Sequence, residues 1–365
     1  MNNIIKSLSK WARRKKGNPT QAQIHLTNYC NLKCSFCPTR ALLSDKEIDR
    51  KKELKTEDWL NVIDQATELG VNDWHICGGG EPMFFEDTAI AVMNKIKEYE
   101  RHGEMITNGT LFNGHAIKNL VEIGWDKIFF SLDAPVVGIH DNIRGVKCFN
   151  KIIENIKLFD YWKRKLKTDK PTLCFHMVVC NKNYKEVLNM ISLARKLNVQ
   201  DVLINALNIW KPEIESFKLD NREKKELKEN LKKSLGLSKK CGVNTNILDF
   251  LSSELFEKAN VMNKAMTDEV EKTNDKINPF LKTSCYYPWY NISIFSNGIT
   301  QPCFILKEKG ENILEKSLEE IWYGDFFENF RKDLTNNTLS EDCSKCNPWN
   351  LPKMNEIRTE LKKIL

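Results

Sequence analysis

The chain has 365 residues, 41% of them hydrophobic and 29% charged, which is enough to bury the cores of two domains and excludes both a mini-protein and a disordered tail. Its longest uninterrupted apolar run is the five residues 89–93, against the roughly 18 a membrane span needs, and Lys6, Ser7, Ser9 and Lys10 break up any signal-peptide segment, so the expected location is cytoplasmic. Lys and Arg outnumber Asp and Glu by 56 to 49, and the resulting +7 is spread over helices that also carry acids, the pattern of solvated faces and not of a nucleic-acid partner.

Residues 1–21 read as a basic amphipathic arm. Lys6, Lys10, Arg13, Arg14, Lys15 and Lys16 accompany no acid in the first sixteen positions, while Ile4, Ile5, Leu8 and Trp11 recur at helical spacing. Such a helix either packs its apolar stripe on the rest of the protein or contacts a membrane surface or a partner. From 22 to 240, short apolar strands alternate with amphipathic helices. Strands are expected over 23–27, 72–76, 104–106, 127–132, 172–180 and 201–206. Helices are expected over 57–69, with Thr56 as N-cap and Gly70 as terminator, and over 184–197. Repeated strand-helix units imply parallel strands, because each crossover needs a helix, and six units build an open sheet or a partial barrel with functional loops at the strand C-termini.

Composition changes after residue 206. Lysine- and glutamate-rich helices are expected over 221–240 and 248–272, and 241–365 is expected to form a second, smaller domain. Residues 286–305 read as a β-hairpin turning at Ser296-Asn297-Gly298, followed by a helix over 317–334.

Twelve cysteines in a chain without an export signal point to metal or redox chemistry and away from disulfides. Cys30-x3-Cys34-x2-Cys37 follows the first strand. Three thiolates on one loop bind three corners of a cubane and leave one iron open; a zinc site with a distant fourth ligand uses the same spacing. Phe36 precedes the last cysteine, and the second strand ends in Gly78-Gly79-Gly80-Glu81-Pro82, where glycines let backbone approach a ligand and Glu81 offers a carboxylate to an amine.

These motifs strongly resemble the radical S-adenosylmethionine (SAM) superfamily, whose signature is CxxxCxxC with an aromatic residue before the third cysteine, then Gly-Gly-Glu after the second strand. The resemblance implies a partial (β/α)6 TIM-like barrel. It implies that Cys30, Cys34 and Cys37 ligate a 4Fe-4S cluster that reductively cleaves SAM to a 5′-deoxyadenosyl radical, fed by a donor such as flavodoxin or ferredoxin. Phe36 would lie beside the adenine, and Gly79, Gly80 and Glu81 would receive the SAM amine. Asn108, after the third strand, and Ser131, Asp133 and Arg144, at and beyond the fourth, are the further expected cofactor contacts.

Cys285-x17-Cys303, bracketing the hairpin, and Cys343-x2-Cys346 make a complete four-thiolate shell for zinc or for a second cluster. The pattern resembles the C-terminal auxiliary-cluster domains of the SPASM and twitch group, in a shorter single-cluster version with one auxiliary 4Fe-4S cluster. Of the remaining cysteines, Cys77 and Cys180 end strands and are candidate hydrogen-atom donors, while His25, His75 and His176 read as satisfied strand histidines. Trp289, Trp349 and the tyrosines near Cys285 are expected to pack around the auxiliary cluster. The expected activity is that of a radical SAM oxidoreductase that dehydrogenates a polar small molecule such as a sugar or cyclitol, with the auxiliary cluster as electron acceptor. The alternatives are a peptide or protein maturase and a radical epimerase using a cysteine as hydrogen donor.

Overall fold

The computed structural model describes residues 1–43, 48–209, 211–252, 278–306, 310–336, 338–346 and 350–365. Its strands in chain order are β1 (Gln21–Ile24), β2 (Asp73–Ile76), β3 (His102–Thr107), β4 (Lys127–Ser131), β5 (Thr172–Val179), β6 (Asp201–Ala206), β7 (Asn244–Thr245), β8 (Asn291–Ile294), β9 (Ile299–Gln301) and β10 (Glu311–Asn312). The chain divides into two compact units. The first comprises Met1–His25, Lys52–His75 and Lys258–Leu365, and the second Leu26–Lys51 and Ile76–Glu257. This division does not follow linear boundaries at 21 and 240, because the first strand and the helix Thr56–Leu69 belong with the C-terminal part.

In the second unit β3, β4, β5, β6 and β7 pair in sequence order, all parallel. Alternation explains why these segments are strands: in β4, Ile128 and Phe130 are fully buried while Lys127, Phe129 and Ser131 occupy the half-exposed face. Register then places Ser131 beside His176, and Val178 beside Asn205, on that same face. The chain returns from β4 to β5 through the helices Val137–Arg144 and Phe149–Leu166, and from β5 to β6 through Val187–Lys196. Sequence reading stops at six strands, whereas β7 extends the parallel series. It is held by the Asn244 N–H donating to the Gln200 carbonyl at 2.9 Å and by the Asn246 amide, which accepts from Ile204 N at 2.9 Å and donates to Ile204 O at 2.8 Å.

In the first unit β1 pairs parallel with β8, β8 pairs antiparallel with β9, and β9 antiparallel with β10. The hairpin turns where Gly298 adopts φ +83°, as the Ser-Asn-Gly tripeptide predicts. The N-terminal arm is the helix Asn2–Ala12, and its stripe is consumed by packing: Ile4, Leu8 and Ala12 are buried against Phe280, Tyr286, Trp289 and Leu361. Of the two fates open to an amphipathic arm, this apolar face takes the interior one.

Other helices depart from expectation in detail. The helix expected from 57 begins at Thr56, because the Asp58 carboxylate accepts the Lys55 N–H at 2.9 Å. The helix expected over 317–334 is two, Leu318–Trp322 and Asp325–Thr335, broken at Gly324. Buried Arg331 caps the break by donating to the Trp322 carbonyl at 2.9 Å and the Pro288 carbonyl at 3.0 Å. Of the helix expected over 248–272, Ile247–Ser252 is described and 253–272 lies outside the described residues, as does Trp349. Among the described residues no helix is long and apolar enough to cross a membrane.

Leu8→Ala removes a fully buried side chain from the first unit. It is expected to cost about 2–5 kcal/mol, read as a lower denaturant midpoint. An unchanged midpoint would show that the arm contributes nothing to that core.

Candidate functional site

All three cysteines of the first group sit half-buried in the second unit, on the loop leading to the short helix Pro38–Leu42. That loop is fixed by backbone pairing to two others. Gly80 N donates to Thr27 O at 2.6 Å and Glu81 N to Tyr29 O at 2.7 Å, while Lys33 N reaches Arg144 O and Ser35 N reaches Ile143 O, both at 3.1 Å. Glycine is required in the first contact: Gly79 has φ +65°, and a Cβ at Gly80 would lie 1.9 Å from the Tyr29 carbonyl oxygen.

The three sulfurs repel one another as thiolates. Burial first, and the neighbouring charges of Glu81, Cys34 and Cys37 after it, push Cys30 up to about 11 against the Leu32 N–H that it accepts; burial likewise raises Cys34. Donors point at the sulfurs. Asn108 Nδ2 lies 3.9 Å from Cys30 Sγ and Arg144 Nη1 3.6 Å from Cys34 Sγ. Among the described residues the trio whose ligand atoms all lie within 4.8 Å is His140, Asp141 and Cys148, and neither cysteine set qualifies. Three thiols on one loop with a donor at two of the sulfurs fit the three protein corners of an iron-sulfur cubane.

Glu81 is buried, and its carboxylate accepts from the Thr107 hydroxyl at 2.5 Å, Asn108 N at 2.7 Å and Met83 N at 3.2 Å. Burial outweighs these bonds and pushes it up to about 7. A carboxylate has about four acceptor positions, so one stays open. Arg144 is held by Asp133, whose carboxylate lies 2.7 Å from Nη2 and also accepts from Val178 N at 3.0 Å. Burial works against the Arg144 charge, but Asp133 and Cys34 outweigh it and raise its pKa further. Its Nε is buried with no partner among the described residues, a donor left for an anionic group. The backbone N–H of Asp133 donates to Nδ1 of His140, which burial keeps neutral at about 3. The cradle around Gly79 and Gly80, the spare Glu81 position and the unpaired Arg144 Nε fit a ligand bearing both an amine and a carboxylate.

Phe36 is buried with Ile143, Cys180 and Ile214, and meets Phe217 edge-on at 6.1 Å. Of the two candidate hydrogen donors, Cys180 has no accessible surface and is pushed up to about 11 by burial, whereas Cys77 is half-buried beside the glycine run. Ser131 lies on the half-exposed sheet face, level with His176, whose Nε2 contacts the Asn205 amide; burial, then the Arg144 charge, lowers His176 to about 4, so its ring is neutral. Thr107 as the partner of Glu81 is the residue that sequence reading passed over, although it directly precedes Asn108. Ile214 and Phe217 carried no signal, since they come from the short 3-10 helix Pro212–Phe217, too brief to show a periodic pattern.

The second cysteine group belongs to the first unit. Cys285, Cys303 and Cys346 pack against the core that holds Tyr286, Tyr290 and Trp289. Burial first, and then the charges of Cys346 and Cys343, raise Cys285; burial and then the charges of Cys346, Cys285 and Cys343 raise Cys303, so these sulfurs lie within electrostatic reach of one another. Ser340 Oγ donates to Cys343 Sγ at 3.3 Å. Four mutually repelling thiolates in an apolar shell fit a cationic iron-sulfur core, which removes the repulsion.

A family profile described as the radical SAM superfamily matches residues 24–194, and one described as SPASM, an iron-sulfur cluster-binding domain, matches 285–347. Among curated proteins the chain is 28% identical over 199 residues to the tungsten-containing aldehyde ferredoxin oxidoreductase cofactor-modifying protein of Pyrococcus furiosus, over 52% of each chain. It is 34% identical over 121 residues to the PqqA peptide cyclase of Granulibacter bethesdensis, over 33% of this chain and 31% of that one. The chain thus matches about half of the first relative's length and a third of the second's. Among solved structures, Streptococcus suis SuiB bound to S-adenosylmethionine superposes with a TM-score of 0.62 at 17% identity, over 90% of this chain and 70% of that one. SuiB bound to the precursor peptide SuiA gives 0.63 at 20% identity, over 86% and 67%. These likenesses establish a shared fold.

Gly80→Ala is expected to push the Tyr29 carbonyl aside and displace the cysteine loop, so that anaerobic reconstitution loads less iron than in wild type. Iron content equal to wild type would show that the loop does not depend on this close approach.

Proposed function

We propose that this chain, which belongs to the radical SAM superfamily and carries a C-terminal SPASM iron-sulfur domain, oxidises a C–H bond of a peptide substrate. The bound three-cysteine cluster supplies the electron that splits SAM into methionine and the 5′-deoxyadenosyl radical, which takes a hydrogen atom from the substrate. In this reading Cys30, Cys34 and Cys37 hold that cluster, the spare acceptor position of Glu81 takes the SAM ammonium, and Arg144 takes the carboxylate. Asp133 orients Arg144, Asn108 supports both Glu81 and the loop of Cys30, Ser131 faces the ribose and Phe36 the adenine. The observation that carries it is the interlock of the thiol loop with the glycine run, which brings three sulfurs, Glu81 and Arg144 together.

Cys285, Cys303, Cys343 and Cys346 would hold the auxiliary cluster, which would supply a one-electron acceptor, so that loss of a hydrogen atom and then of a proton and an electron makes the overall change a two-electron oxidation. A flavodoxin or ferredoxin supplies the first electron. The peptide class is supported by likeness to a PqqA peptide cyclase and by a fold shared with SuiB. A second reading, oxidation of a sugar or cyclitol, is favoured by Ser131, His176 and Asn205 on one half-exposed sheet face, where they offer hydrogen bonds to hydroxyls. An epimerase would rely on Cys77, since Cys180 has no accessible surface.

The test is anaerobic reconstitution with iron and sulfide, then SAM and dithionite, with 5′-deoxyadenosine quantified for wild type and for the triple Cys30→Ala, Cys34→Ala, Cys37→Ala variant. Peptides and polyols are offered in parallel. Deoxyadenosine from wild type alone, rising with a peptide whose product is two hydrogens lighter, is the expected result. A product from polyols alone would reverse the order of the two readings, and none from iron-loaded wild type with either class would sink both.

Glu81 provides a pH signature. An ammonium needs its carboxylate ionised, and with a folded value near 7 that form is lost as pH falls through 7. SAM affinity is therefore expected to weaken below about pH 7. Glu81→Gln should abolish that dependence and bind roughly 10- to 100-fold more weakly at pH 8, measured by equilibrium titration. A pH profile unchanged by the substitution would assign the ammonium to another group.

A further inference from the structure

Three tyrosines, Tyr286, Tyr287 and Tyr290, lie in the core against which Cys285, Cys303 and Cys346 pack. Two of their hydroxyls are satisfied: Tyr286 Oη donates to the Leu281 carbonyl at 3.3 Å, and Tyr287 Oη to Gln23 Oε1 at 3.1 Å. Tyr290 is fully buried, yet its hydroxyl has no hydrogen-bond partner among the described residues. The residue is pinned in place. Its carbonyl accepts from Thr20 N at 2.8 Å and Gln21 N at 3.0 Å, and the Tyr287 ring packs edge-on at 5.3 Å. A buried hydroxyl left unpaired costs about 1–3 kcal/mol, so such a group calls for an acceptor. The thiols of Cys285 and Cys303 lie within electrostatic reach of it, and together with burial they hold the phenol well above the usual tyrosine range, as a neutral donor.

We propose that the Tyr290 hydroxyl donates a hydrogen bond to a sulfur of the cluster held by Cys285, Cys303, Cys343 and Cys346, and thereby sets that cluster's reduction potential. This rests on those four cysteines being its ligands and is independent of which substrate is oxidised. A hydrogen bond to sulfur draws off negative charge, stabilises the reduced state more than the oxidised one, and so raises the potential. Tyr290 is in this sense a tuning residue for electron acceptance.

The test uses the full chain bearing Cys30→Ala, Cys34→Ala and Cys37→Ala, so that only the auxiliary cluster contributes to the spectrum. About four iron atoms per chain in this parent would verify the ligand set. Potentiometry followed by electron paramagnetic resonance then compares the parent with Tyr290→Phe. The expected result is unchanged iron, a more negative midpoint, and loss of an exchangeable-deuterium coupling that the parent cluster shows in D2O. Tyr287→Phe, whose hydroxyl is already committed to Gln23, is expected to leave the midpoint in place. Thr283 and Ser284 also carry buried hydroxyls next to Cys285 in the chain that have no partner among the described residues, so a midpoint that moves with Ser284→Ala and not with Tyr290→Phe would overturn the assignment. A loaded Tyr290→Phe that keeps both midpoint and deuterium coupling would overturn it equally. Should Tyr290→Phe fail to load, a fluorotyrosine placed at position 290 decides: its more acidic hydroxyl is expected to move the midpoint positive, and an unmoved midpoint refutes the bond. A parent that binds no iron would sink the ligand assignment, and this inference with it.

Discussion

The close approach of two loops, with no Cβ between them, governs the second unit. Gly80 N and Glu81 N donate to Thr27 O and Tyr29 O at 2.6 and 2.7 Å, and a side chain at Gly80 would overlap the Tyr29 carbonyl. The thiols therefore take their places relative to Glu81 through backbone, the least adjustable part of the chain. The stretch ending in Arg144 joins the same loop through the Lys33 and Ser35 amides, so the guanidinium reaches Cys34 along a path that is also backbone-determined. Three segments distant in sequence thereby bring a carboxylate, a guanidinium and sulfur together.

Electrostatics makes this arrangement costly without its cofactors. Burial raises Cys30 and Cys34, and Glu81 adds a negative charge beside them. Arg144 compensates in part, and Asp133 in turn keeps Arg144 charged in a buried position. The first unit repeats the problem around Cys285 and Cys303, where the surroundings are aromatic. In both units a bound cationic cluster converts mutual repulsion among thiolates into attraction, so cofactor binding and local stability are coupled.

The two units solve the problem with different neighbours. The three-thiol loop is bordered by polar and charged groups that a zwitterionic ligand can use, and Arg144 Nε has no partner there among the described residues. Cys285, Cys303 and Cys346 pack against the core that holds Tyr286, Tyr290 and Trp289, apolar surroundings in which a single hydrogen bond weighs heavily on a redox equilibrium.

What the sequence determined by itself is the local chemistry. Cys30, Cys34 and Cys37 lie within eight residues, so their loop is legible without any fold, the alternation in β4 marks a strand because each residue's face follows from its parity, and the helices between strands imply parallel pairing. The hairpin turn at Gly298 is equally local. Tertiary structure decided whatever depends on partners far along the chain. It buried the stripe of the helix Asn2–Ala12 against Phe280 and Leu361, built β7 through the side-chain amide of Asn246, and split the helix at Gly324, where Arg331 satisfies the freed carbonyl of Trp322. It also set Phe217 against Phe36 and left the Tyr290 hydroxyl with no hydrogen-bond partner among the described residues. Spacing and periodicity encode which atoms can bind or pair within a few residues. Burial, desolvation and the pairing of distant polar groups exist only once the chain has closed on itself.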